Sequence, residues 1–146
     1  MDQLTVVNSH SDRWIPVLEK DPVRPHISHF LRVASNRECF VIHDGIMVKS
    51  VLCAAYIGSI PKTEDELFAD WSSFNYAVFY SVWSFGKGYG SKIIDQALIH
   101  TRWNRRYVTR AVTLSPKTEM ARGFHLANGA VLARENPESY NFEYLL

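Results

Sequence analysis

Gly86, Gly88 and Gly90 stand at alternate positions in Ser84-Phe85-Gly86-Lys87-Gly88-Tyr89-Gly90-Ser91, between a β-rich run and a helical one. Glycines so spaced let the backbone turn sharply and bring its N–H groups close to a ligand. A helix opening directly after them adds unpaired first-turn N–H groups and the positive end of its dipole. These are the parts of an anion site, most often one for phosphate. A glycine-rich turn that binds nothing is the competing reading. A Walker loop is excluded, because no glycine is followed by Lys-Ser or Lys-Thr. The dinucleotide fingerprint fails too: Ser91 stands where it wants glycine, and about twenty positions on lie Arg110 and Ala111 instead of an acid. His26 and His29, three apart, are spaced like metal ligands, but no third ligand lies nearby and they read as solvated helix residues; no metal set is expected.

The elements that must position this loop can be read in order. Leu4 to Val7 is a short strand, and Ser11 or Asp12 caps a helix carrying Trp14, Ile15, Val17 and Leu18, stopped by Asp21-Pro22. A second helix follows Pro25, with Ile27, Phe30, Leu31 and Ala34 on one face, ending near Asn36. Cys39–Ile42 and Ile46–Val48 flank the hairpin signal Asp44-Gly45, and the second strand runs on to Tyr56. Pro61 to Phe74 is a connection in which Thr63 and Glu66 have capping-box spacing. Ala77 to Trp83 is a strand rich in aromatic and β-branched residues, and after the glycines Ile93, Ile94, Ala97 and Leu98 form a helical stripe. Tyr107 to Leu114 is a strand broken by Ser115-Pro116; a helix over about 117–127 ends at Asn128-Gly129; Val131–Ala133 and Tyr140–Leu145 close the chain around Asn136-Pro137. The order is β-α-α-β-β-β-α-β-α-β-β.

At 146 residues and net charge +1, the composition is that of one globular domain with no case for wholesale nucleic-acid binding. Cys39 and Cys53 lie in apolar runs and read as buried reduced thiols. Met1-Asp2-Gln3 lacks the features of a signal peptide, and the longest apolar run, Val51 to Ile60, is short for a bilayer. A cytoplasmic protein with no membrane association is the expectation.

With the elements in place, Phe85-Gly86-Lys87-Gly88-Tyr89-Gly90 resembles the acetyl-CoA pyrophosphate loop of GNAT N-acetyltransferases, Gln/Arg-x-x-Gly-x-Gly/Ala, with Phe85 in place of Gln or Arg. The element order is similar to that of the GNAT fold, which implies a single-domain α/β (α+β) GNAT-like protein with a mixed central sheet over residues 1–146. GNAT proteins often carry Asn, Tyr seven residues on, and Gly-Phe four residues after the Tyr. Here that spacing falls on Thr118, His125, Gly129 and Ala130, with Phe124 in the hydrophobic slot before the Tyr; only Gly129 of the four matches outright.

The resemblance implies acetyl-CoA as co-substrate, held by Tyr80 and Val82 of the strand, which in the family splays from its neighbour and offers free backbone groups to the pantetheine arm, by Phe85, Gly86, Lys87, Gly88, Tyr89, Gly90 and Ser91 of the loop, and by Thr118 and Phe124. It implies transfer of an acetyl group by direct attack of a primary amine on a small molecule or peptide. His125 stands where many members place the tyrosine that protonates the CoA thiolate, acting when charged or through its neutral N–H; Ser115, Tyr80 or water are the alternatives, and a packing histidine is the bland one. No Asp or Glu lies between Ala77 and Phe85, where members often carry a base, so Glu119 or a water chain would take the amine's proton. A non-catalytic acyl-CoA-binding or interaction module is therefore the second expectation. The acceptor would enter beside Pro61 to Phe74, which carries −3 with Trp71 and Phe74 near its end. That suits a cationic amine; a solvated acidic helix suits it equally. Lys87, Lys92, Arg102, Arg105, Arg106 and Arg110 against Asp95 give a local +5, which reads as phosphate contacts plus a solvated face ahead of a nucleic-acid patch. Self-association into a homodimer is left open.

Overall fold

The computed structural model describes residues 1–146. Its centre is β3, Val48–Ile57, whose run of small and branched apolar residues is buried on both faces from Ser50 onward. A strand covered on two sides reads as continuous apolar sequence rather than alternation. Around it lie β1 (Gln3–Val7), β2 (Arg37–His43), β4 (Tyr76–Ser84), β5 (Arg110–Thr113), β6 (Ser115–Pro116), β7 (Val131–Glu135) and β8 (Ser139–Tyr144). The sheet order is β1-β2-β3-β4-β5-β8-β6, with β7 on β8. Only β4 and β5 are parallel; every other pair is antiparallel. The mixed sheet and the expected element order are both present, with β6 added.

Helices cover the two faces. On one lie α1 (Ile15–Leu18), α2 (His29–Arg32) and a 3-10 helix (Glu64–Phe68), packed over Cys39, Cys53, Val78 and Tyr80. On the other α3 (Tyr89–Asn104) sets Ile93, Ile94 and Ala97, the stripe legible in the sequence, against Phe40, Leu52, Tyr56 and Phe79. α4 (Glu119–Ala127) lies beside β6 and β7. No helix is long and apolar enough to cross a membrane.

Local signals account for most boundaries. Asp44 Oδ1 accepts from the N–H groups of Ile46 and Met47 at 2.9 and 2.7 Å, and Gly45 takes φ +98°, which closes the β2–β3 hairpin. The Glu66 carboxylate accepts the Thr63 N–H at 2.7 Å, so the capping box forms at the 3-10 helix. The Thr118 hydroxyl accepts the Ala121 N–H at 3.1 Å and caps α4. At its other end Gly129, with φ +92°, donates to Leu126 O, and Ala130 donates to His125 O, both at 3.1 Å; this pair of bonds is a Schellman motif.

The early helices differ from expectation. Each has only four residues, and Phe30 and Leu31 of the expected apolar face are exposed, whereas Arg32 is fully buried. The reason is a sealed ion pair: Arg32 Nη1 donates to Asp21 Oδ2 at 2.8 Å, and the segment bends around it instead of continuing as helix. β5 also starts later than expected, at Arg110, because Arg105 to Val108 form a turn closed by the Val108 N–H on Arg105 O at 2.9 Å. Ser115-Pro116 does not end the sheet; it pairs with Tyr140 and Ser139 as β6.

Candidate acyl-CoA site

β4 and β5 pair over four residues, Tyr76–Phe79 against Arg110–Thr113, and one more bond, from the Leu114 N–H to Phe79 O at 3.1 Å, closes the ladder. Beyond it β4 runs on to Ser84 while the other chain turns away toward β8. The sheet therefore splits. A β-bulge sharpens the split: Cys53 faces Ser81 and Ala54 faces Phe79, which leaves Tyr80 as the extra residue. The guanidinium of Arg24 stands at the fork, with Nε–H on Tyr80 O at 2.9 Å and Nη2–H on Leu114 O at 2.7 Å. Tyr80 hydroxyl, Ser81 Oγ and Trp83 Nε1, all on β4, are buried without a hydrogen-bond partner. Each such group costs about 1–3 kcal/mol when it stays unpaired.

The strand's two faces separate its residues. Val82 turns to the α3 side, while the Tyr80 side chain is buried in the α1/α2 core, edge-on to Phe68 at 6.0 Å, with its phenol pushed well above its ordinary pKa by burial, then by Cys53 and Cys39. The hydroxyl that was an alternative proton donor therefore lies on the α1/α2 side, and what Tyr80 brings to the fork is its carbonyl. Ser115 is also locked in, with Oγ 2.7 Å from Thr113 Oγ1 and 3% of the residue exposed.

In the loop, the three glycines have three different roles. Gly88 is the N-cap of α3 at φ +86° with no atom near its missing Cβ, so conformation alone requires it. A Cβ on Gly86 would lie 3.0 Å from Tyr89 Cδ2. On Gly90 it would lie 2.8 Å from Phe124 Cε1, so Gly90 is the seat where α4 docks on α3. Phe124 thus packs on the last glycine of the loop, and Thr118 is the cap of α4. Phe85, Lys87 and Ser91 are exposed beside it. The Tyr89 hydroxyl donates to Asp2 at 2.8 Å, and Lys92 lies 3.7 Å from the same carboxylate.

His125, one turn from the end of α4, is 6% exposed, stacked on Phe142 and 2.6 Å through Nδ1 from the Tyr144 hydroxyl. Burial lowers its pKa to about 4, so the ring is neutral at pH 7. A phenol donating to Nδ1 leaves the proton on Nε2, which has no partner in the protein. The charged imidazolium considered from sequence is set aside, and the neutral N–H stays.

On the α1/α2 side of the fork opens a cavity of about 370 Å³ lined by Arg24, Lys62, Glu64, Asp65, Leu114 and Glu138 among others. The acids of Pro61–Phe74 are not equivalent there. Glu64 is held by Arg24 at 2.9 Å and His26 at 2.6 Å, Glu66 is used as a cap, and Asp65 faces the cavity without an ion-pair partner. His29 meets Glu19 at 2.8 Å. Of the expected basic face, Arg105 pairs with Glu38 and Arg110 with Glu143, at 2.8 and 2.6 Å. Sequence reasoning missed Arg24 and Ser81. Arg24 sits between Pro22 and Pro25 with no periodic signal, and Ser81 is one buried polar residue within an apolar strand.

No family model matches the chain, and no curated protein matches it in sequence. Solved structures do match. Malonyl-CoA decarboxylase from Cupriavidus metallidurans superposes with TM-score 0.77 at 15% identity, covering 99% of this chain and 61% of its own. The GNAT domain of S. lividans PAT gives 0.72 at 12% identity, over 99% and 90%. NAA60 from Arabidopsis thaliana, in complex with acetyl-CoA, gives 0.67 at 12%, over the full length of both. The chain spans 35% to 61% of the length of the malonyl-CoA decarboxylases it matches. At these identities the likeness is one of fold: the chain has the GNAT acetyltransferase fold.

Proposed function

We propose that this chain binds an acyl-CoA, with the pyrophosphate at the Gly86–Ser91 loop and the acyl arm along the unpaired edge of β4, and transfers its acetyl group to a primary amine. The observation that carries the reading is the split itself. A parallel pair that ends after four residues leaves the edge of Ser81–Ser84 that faces away from β3 without a partner strand, directly upstream of a helix N-terminus. In the reaction the amine nitrogen bonds to the thioester carbon, the C–S bond breaks, a base takes the amine's proton, and the thiolate takes one from a donor. A preorganised N–H on the oxyanion is worth about 3 kcal/mol. The Nε2–H of His125 is the proton donor we assign. Asp65 and Glu138, the acids at the mouth without an ion-pair partner, are the groups we assign to attract a cationic acceptor.

A second reading has its own support. β4 carries no carboxylate to deprotonate an amine, and the decarboxylases match this fold closely. Loss of CO2 from a malonyl thioester needs no such base: the C–C bond breaks, its electrons form a thioester enolate, and the carbon takes a proton to leave acetyl-CoA. A third, binding without turnover, is the module expected from the loop substitutions.

Calorimetry with CoA is the first test, and no binding at millimolar concentration would remove all three. Thiol release from acetyl-CoA with a panel of neutral and cationic amines supports transfer, with KM for the cationic ones rising with ionic strength if the mouth steers them. CO2 release from malonyl-CoA without any amine supports the second reading. Binding with neither leaves the module.

A further inference from the structure

Arg24 hydrogen-bonds both strands at the point where they part. In a continued parallel ladder the Tyr80 and Leu114 carbonyls would each receive an N–H from a facing strand. Here one guanidinium supplies both, at 2.9 and 2.7 Å, and a planar fork is the side-chain group whose geometry suits that task. Its third contact, Nη1 on Glu64 at 2.9 Å, fixes the plane from the cavity side.

The backbone of Arg24 is gripped as firmly as its head. Asp21 Oδ1 accepts the N–H groups of Val23 and Arg24 at 2.7 and 3.0 Å, and Arg32 Nη2 donates to Arg24 O at 2.8 Å. Asp21 and Arg32 are joined to each other with both side chains fully buried. Such a pair adds little net stability against apolar residues, but it admits few geometries. A rigid buried pair thus aims one arginine at the fork.

We propose that Arg24 is a positioning residue that holds β4 and β5 apart and fixes the Tyr80–Val82 backbone against which the acyl arm lies. This rests on the acyl-CoA reading above. It separates two parts of one ligand: the nucleotide end, on the glycine loop, does not depend on Arg24, whereas the pantetheine end does. An ammonium cannot span both carbonyls in one plane, so lysine does not substitute.

Calorimetry on the whole chain with acetyl-CoA and with adenosine 3′,5′-bisphosphate tests this in Arg24→Lys and Arg24→Ala. Acetyl-CoA should bind about tenfold more weakly or worse, and the bisphosphate within about twofold of wild type. Ethylguanidinium should restore part of the alanine variant's affinity for acetyl-CoA, and ethylammonium should not. Equal losses for both ligands, or an unchanged affinity for acetyl-CoA, would overturn the proposal; the lysine variant alone decides if the alanine one does not fold. If wild type binds neither ligand, the acyl-CoA reading itself has failed, which is a distinguishable result.

Discussion

A single histidine shows how environment selects among a residue's chemistries. In water an imidazole titrates at about 6.5, so either form is available near neutrality. At position 125 burial lowers that value to about 4, and the proton is refused until well into the acid range. The sign follows: the unfolded chain binds this proton below pH 6.5 and the folded one only below about 4, so stability is complete above 6.5 and falls as pH drops through that window. The loss should reach about 2 kcal/mol between pH 7 and pH 5. Urea unfolding of wild type and His125→Gln at the two pH values checks it, since the glutamine variant should lack this component of the drop. The position of His125 was legible from Thr118 at one end of its helix and Gly129 at the other. Its charge state was not, because Phe142 and Tyr144 come from a strand that periodicity cannot place against it. Arg24 was illegible for the same reason: nothing local in Asp21-Pro22-Val23-Arg24-Pro25 points to carbonyls more than fifty residues away.

Among the elements, the loop and its two helices divide cleanly. The glycine spacing was read from sequence as a single phosphate cradle, yet only Gly88 is there for its dihedral angle. Gly88→Val should cost about 1–2 kcal/mol in backbone strain at φ +86° and weaken CoA binding strongly. Gly90→Ala should act differently. Its Cβ would sit 2.8 Å from Phe124 Cε1, so it should lower the melting temperature by pushing α4 off α3, and Phe124→Leu should recover part of the loss in a double-mutant cycle. Additive effects of those two changes would argue against the docking role. The extent of α3 and α4 was readable from their stripes and caps. α2 was overestimated because a buried arginine, Arg32, breaks the apolar stripe that the eye supplies.

Across the molecule, the element order was legible because each turn carried its own chemistry, from Asp44-Gly45 to Gly129. The split was implied by the family resemblance alone, since it depends on which strand fails to pair. A second buried acid ties β2 to the end of α3: Glu38 accepts from Tyr56, His100 and Arg105, with Arg105 Nη2 at 2.8 Å. Burial alone would raise its carboxyl, but the hydrogen bonds from His100, Arg105 and Tyr56 outweigh that and hold it at about 2. Its contribution is present above about pH 4.5 and is lost as pH falls toward 2, below the window set by His125. Glu38→Gln should cost about 3 kcal/mol at pH 7 by leaving Arg105 without its counter-charge, and should flatten the acid limb of the stability curve below pH 4.5.

The short pairing between β4 and β5 also has a mechanical meaning. The first terminus leads into β1 and the last out of β8, so tension applied between the ends crosses a seam made of the four parallel residue pairs of β4 and β5, the Arg24 fork, the seat of Phe124 on Gly90, and the bonds that Arg134, Ser139 and Asn141 donate to the carbonyls of Ile60, Lys62 and Pro61. Pulled from its termini with optical tweezers, the molecule should rupture there first and release two halves, one holding β1 to β4 with α3 and the other β5 to β8 with α4. A cofactor lying across the seam acts as a rivet. Saturating CoA should raise the rupture force of that first event and leave the later unfolding of each half unchanged.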